Sequence, residues 1–184
     1  MDQFGYVIGR LPKNIRRPVP ALALIAHMDT SPDSSGENIR PQIVRNYAGG
    51  DISLDPDQKL VLRPDLFPFL KRNVGQDLIT TNGHTLLGAD DKAGIAEIMT
   101  VIEYYVQNPD IPHGELIAVF TPDEEVGNGT KYIDVAKIGA DLAYTLDGSA
   151  VGEVAYENFN AAAAVVTLNG ISVHPGSAKN KLLN

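Results

Sequence analysis

Cysteine is absent from all 184 residues, so neither a disulfide framework nor a thiolate metal site can form. Any metal would have to be held by histidine and carboxylate. Long apolar runs are missing too. The longest, Ala21 to Ala26 and Ala161 to Val166, are too short to cross a bilayer. The amino end, MDQFGYVIGRLPKNIRR, has no charged start followed by an apolar stretch, so it does not read as a targeting segment. A soluble, cytoplasmic protein is the reading, with no membrane partner. Basic charge is scarce: 15 Lys and Arg stand against 23 Asp and Glu, a formal net charge of -8. The one basic cluster is Lys13, Arg16 and Arg17. A nucleic-acid binder needs clustered cations to displace phosphate counterions, so that class is excluded. The 43% hydrophobic content is enough to build a globular core.

Along the chain, the run ALALIA ends abruptly in the polar stretch HMDTSPD, as a strand buried on both faces of a largely parallel sheet does. His27 and Asp29 then sit at its carboxyl end. From Thr30 to Arg72 the chain is rich in Pro, Gly, Ser, Asn and Asp, which predicts a long excursion with at most short strands. Ile95, Ile98, Met99, Ile102, Tyr105 and Val106 recur at helical spacing, with Asp90 and Asp91 at the helix start and Pro109 as the stop. ELIAVFT reads as a second buried strand, followed by the acidic turn PDEEVGNG and a short helix from about Lys131 to Lys137. DLAYTLDGS delivers Asp147 at another strand tip, and VAYENFNAAAAVVTLNGISVHPG reads as two β segments with His174 near the exit. The fold class is α/β, a largely parallel or mixed sheet flanked by helices.

In such sheets ligands gather at the carboxyl ends of the strands. His27, Asp29, Glu124, Glu125 and Asp147 all fall there, with Asp90 and Asp91 at a helix start. Converging carboxylates repel unless a cation neutralises them, so the grouping implies a metal. Zinc leads for an imidazole and carboxylate set, and manganese or cobalt also fit it. Two ions about 3.5 to 4 Å apart, bridged by one Asp, would account for the surplus carboxylates, and a Glu outside the ligand set would serve as general base. Each element also has a plain reading. His-x-Asp can be a local hydrogen-bonded pair, Asp90 and Asp91 helix caps, Glu124 and Glu125 a solvated turn, Asp147 a turn residue before glycine, and His174 a loop histidine. The recurrence of carboxylates at equivalent strand ends favours the functional reading. His84 and His113 lie in turn-like contexts and receive no role.

The segments HMDTSPD, TLLGADDKAGIAEIMT, TPDEEVGNG, YTLDG and HPGSAK, in this order, closely resemble the peptidase T family, the tripeptide aminopeptidases among the dinuclear zinc exopeptidases. PQIVRNYAGGDISL and VGEVAYENFNAA look more like that family than like its relatives. The resemblance runs from about Gly5 to Lys179. It implies a metal-dependent aminopeptidase that releases the amino-terminal residue of tripeptides, with residues 1–152 as part of the catalytic domain and 153–184 as the start of a smaller lid or dimerisation domain. It further implies that His27 and Asp147 bind one Zn2+, that Asp90 bridges two, and that Glu125 binds the second. Asp29 would orient the His27 ring, Glu124 would be the general base, and His174 would reach the substrate's oxyanion, in the family commonly across a homodimer. The Asp90-Asp91 peptide bond is cis in relatives. A further zinc-binding histidine of the family lies far down the chain and would fall beyond Asn184, so a fragment or truncated form is expected. Another hydrolase of the clan, a dipeptidase or deacylase, is the nearest alternative; a non-catalytic chain that binds a metal or a partner is another.

Overall fold

A computed structural model of the chain describes residues 1–57, 59–148, 150, 152–157 and 160–170. They fall into two compact units, Met1–Asp147 and Gly148–Asn184. The first unit is built on a four-stranded sheet of β1 (Val7–Leu11), β2 (Leu22–His27), β7 (Leu116–Thr121) and β8 (Leu142–Thr145), in the order β1-β7-β2-β8. The excursion between β2 and the long helix holds β3 (Gln42–Val44), β4 (Ile52–Asp55), β5 (Leu60–Leu62), a 3₁₀ turn (Pro68–Asn73) and β6 (Leu78–Thr80). Two helices complete the unit, α1 (Ala89–Gln107) and α2 (Val135–Ile138).

The sheet is mixed. β2 runs parallel to β7 and β8, whereas β1 pairs antiparallel with β7, Val7 opposite Phe120 and Leu11 opposite Leu116. β7 is buried along its whole length because it lies between two strands and is covered on both faces. Successive side chains of a strand point to opposite faces. Ile117 and Val119 accordingly pack with Ala23 and Ile138 on one side, and Ala118 and Phe120 with Ala26 and Ile98 on the other. The run ELIAVFT is therefore apolar throughout for a physical reason: neither face meets water.

Regular helical geometry in α1 begins only after Asp91, since Asp90 (φ -86, ψ 114) and Asp91 (φ -112, ψ 36) depart from it and the bond between them is cis. Ile95, Ile98 and Ile102 face the sheet, as their spacing predicts. Met99 and Val106 do not, being 48% and 60% exposed; the stripe that reaches the sheet is narrower than the apolar pattern. α2 starts later than Lys131. Asp134 is its N-cap, with its carboxylate accepting the Lys137 N–H, and Gly139 in the left-handed region ends it. The excursion makes two antiparallel pairs, β3 with β6 and β4 with β5, over a small core of Tyr47, Ile52 and Leu70.

The stretch read from sequence as two β segments, 154–176, is described only in part: residues 154–157 and 160–170 form no strand, and the others lie outside the described residues. Apolar content alone does not make a strand, which needs a hydrogen-bonded partner. His174 lies outside the described residues.

Candidate metal centre

Three parallel strands end at one level. His27 pairs with Thr121, Ile25 with Thr145, and the Leu146 N–H donates to Ile25 O (2.8 Å), so the residues that follow β2, β7 and β8 emerge side by side. Asp90 and Asp91, at the start of α1, reach the same edge.

His27 is the centre of the arrangement and is only 3% exposed. Its Nε2 lies 2.9 Å from Asp90 Oδ1 and 4.0 Å from Asp147 Oδ2. The other ring nitrogen, Nδ1, faces Asp29, 3.1 Å from its backbone carbonyl and 3.3 Å from its Oδ1. The two nitrogens thus look in different directions, one toward the carboxylate cluster and one toward its support. A ring that donates from Nδ1 to Asp29 leaves Nε2 free as a ligand atom. Asp29 in turn accepts the Glu124 N–H (3.2 Å) on Oδ1 and the Glu125 N–H (3.0 Å) on Oδ2. One carboxylate therefore ties the end of β2 to the turn after β7.

Two groups of donors draw together. His27, Asp91 and Asp147 each offer an atom within 4.8 Å of the others, and so do His27, Asp90 and Glu125. One imidazole with hard carboxylate oxygens fits a divalent cation such as Zn2+, Mn2+ or Co2+. Of the residues predicted from sequence, His27, Asp29, Asp90, Glu125 and Asp147 share this edge. Glu124 contributes its backbone N–H there, but its carboxylate belongs to neither donor group, and its residue is exposed.

Asp91 had no assigned role from sequence beyond its place at the helix start. It is 4% exposed, and its carboxylate accepts the N–H of His27 (3.2 Å) and of Gly94 (3.2 Å). Its adjacency to Asp90 was the only signal available; burial of one Asp beside an exposed one is set by the turn between them.

The His27 ring and its carboxylate neighbours shift one another's protonation. For His27, burial is the largest influence and disfavours the charged ring, but the hydrogen bond to Asp90 and the charges of Asp147, Asp29 and Asp90 outweigh it and raise its pKa above the usual imidazole value. Burial also pushes Asp29 upward, and there the N–H groups of Glu125 and Glu124, its own backbone and the His27 charge prevail, holding its carboxyl below the usual range. Asp91 goes the other way. Burial raises its pKa and the Asp147 charge adds to that, against the two N–H bonds from His27 and Gly94 and the His27 charge.

Fold and donor set together define an α/β protein of the peptidase type with a candidate metal site at the carboxyl ends of a mixed sheet. No family model matches the chain. It is 57% identical over 184 residues to the peptidase T of Halothermothrix orenii, a match that takes in 100% of this chain and 45% of that protein. Among solved structures it is similar to the aminopeptidase PepT of Bacillus cereus (TM-score 0.56, 29% identity, 79% of this chain and 30% of that one). A tripeptidase of Staphylococcus aureus aligns over the same shares with a TM-score of 0.52 at 29% identity. The chain belongs to the peptidase T family, and it spans about 45% of the length of the relatives it matches.

Proposed function

We propose that this chain carries most of the water-activating metal site of an aminopeptidase that releases the amino-terminal residue of tripeptides. The observation that supports it best is the convergence on His27 of two carboxylate groups, Asp90 with Glu125 and Asp91 with Asp147, at the edge where three parallel strands end. Family membership and the names of the similar proteins, peptidase T and tripeptidase, supply the substrate class.

His27 and Asp147 would hold one Zn2+, Glu125 a second, and Asp90 both. Bound there, the ions would polarise the scissile carbonyl and acidify the attacking water. The chain's own residues do the rest. Asp29 takes the Nδ1 proton side of His27 and keeps Nε2 directed at the cluster. Asp91, receiving the His27 and Gly94 N–H groups, fixes the backbone on which Asp90 sits. Glu124, exposed at the rim and held by its N–H on Asp29, accepts the proton of the attacking water and returns it to the leaving amine. His174 is assigned to the substrate's oxyanion. Residues 1–152 belong in this reading to the catalytic domain and 153–184 to the start of a smaller one, in a cytoplasmic homodimer.

The test is Glu124→Ala in a protein of the relatives' full length, assayed with a tripeptide beside metal analysis. Turnover should vanish while metal content stays unchanged. Substantial remaining activity would refute the base assignment.

A further inference from the structure

The acidic turn that bears Glu124 and Glu125 is held at two places, and only one of them belongs to the cluster. Its near end rests on Asp29 through the two N–H groups. Its far end is gripped by Tyr6, just before β1. The Tyr6 ring is 3% exposed, and its hydroxyl donates to Gly129 O (3.0 Å) and accepts the Tyr132 N–H (3.2 Å). Both capacities of a phenolic hydroxyl are thus used on one loop.

Gly129 carries this grip directly to the acidic pair. It lies so close to Glu124 that a Cβ built on it would meet the Glu124 Cα at 3.0 Å and Cβ at 3.3 Å. Within the turn, the Gly127 N–H donates to Glu124 O (2.8 Å) and the Asn128 N–H to Asp123 O (2.9 Å). The turn is therefore braced internally from Asp123 to Gly129. Tyr6 is itself fixed: Asp2 Oδ1 accepts the N–H of Phe4 (2.9 Å) and of Tyr6 (3.0 Å), and the Phe4 ring stacks on Tyr132 at 4.4 Å. Such a tight stack adds a second, apolar hold on the same loop.

We propose that Tyr6 is a positioning residue for Glu124 and Glu125, its hydroxyl setting the height of the acidic turn above the strand ends. The link to catalysis rests on the metal-site reading above; the link to the turn does not. Loss of the hydroxyl frees Gly129 O and the Tyr132 N–H, the far end of the turn rises, and Glu125 loses its register with His27 and Asp90.

Tyr6→Phe in this chain removes the hydroxyl and keeps the ring. Without metal, amide hydrogen exchange at Glu124 and Glu125 is expected to quicken about ten- to a hundredfold, the scale of the two hydrogen bonds lost, while the β7 amides are unchanged. In a titration with Co2+ read by visible absorption, affinity is expected to fall about tenfold with an altered spectrum, as for loss of groups that orient ligands. Exchange at Glu124 and Glu125 equal to the unsubstituted chain overturns the inference, and so does an equal rise throughout β7, which would make Tyr6 a general support of the fold. Faster exchange in the turn with unaltered Co2+ binding overturns its connection to the site. If the unsubstituted chain binds no Co2+, the metal reading fails instead, and the exchange result still decides what Tyr6 does.

Discussion

Gly94→Ala isolates a contact on which the site depends. Gly94 lies in α1 where the helix crosses the end of β8, and a Cβ there would sit 2.1 Å from Leu146 O and 2.5 Å from Asp91 Oδ1. Real Cβ contacts essentially never fall below 3.0 Å, so helix and strand end must part by about 0.9 Å. Leu146 cannot simply retreat, because its N–H is bonded to Ile25 O (2.8 Å). Two effects compete. Alanine favours the helix by about 1 kcal/mol over glycine. Overpacking costs about 1 to 3 kcal/mol, and loosening the Leu146 bond about 1 more. The contact should win, with a net loss of roughly 1 to 3 kcal/mol, the difference of those ranges. The next residue is Asp147, so the same shift moves one proposed ligand away from His27. Displacements of about 1 Å at a reacting centre cost on the order of 100-fold in rate, and a clear drop in Zn2+ affinity is expected. Thermal unfolding by circular dichroism and a calorimetric Zn2+ titration read the two effects separately. A variant as stable as the parent, with equal Zn2+ affinity, would refute the argument, since helix propensity would then have prevailed over a contact that relaxes freely.

Two further outcomes follow from the fold. The Asp77 carboxyl is held below its usual range, first by the Asn46 N–H (2.9 Å) and then by Arg45. A depressed carboxyl stabilises above its unfolded pKa and loses that contribution as pH falls through the folded value, so the Asn46 amide should exchange slowly at neutral pH and lose protection only below the ordinary Asp range. Asp77→Asn should abolish that pH step; a step that persists in the variant contradicts the assignment. Ile117, fully buried at the middle of β7, should cost about 2 to 5 kcal/mol as Ile117→Ala, measured by urea unfolding, and a loss well under 1 kcal/mol would mean that the sheet collapses into the space.

What could be read from the sequence follows from the range of the interaction behind each element. β2 and β7 are buried on both faces, so their composition alone reveals them. Ile95, Ile98 and Ile102 reveal α1 because one helical stripe meets one sheet. β1 is different. VIGRL contains glycine and arginine and becomes a strand through its antiparallel ladder with β7, more than a hundred residues away, which no local pattern records. The cluster was legible because His27, Glu125 and Asp147 follow apolar strands at equivalent places and Asp90 stands at the start of a helix. Tyr6 was not, since its partners, Gly129 and Tyr132, are joined to it only by the pairing of β1 with β7.

The double acceptance by Asp29 bears on the order of events in this protein. Asp29 and Asp91 are seated by backbone amides, and Asp29 and Asp90 lie against the His27 ring, all groups that the chain supplies as soon as its sheet closes. A cation entering such a setting would meet the His27 ring already oriented and the backbone that bears the proposed ligands already fixed, in contrast to small zinc domains in which the ion itself drives folding. Loading would then be a late and reversible occupancy of a finished scaffold, and a chelator would empty it without unravelling the strands beneath.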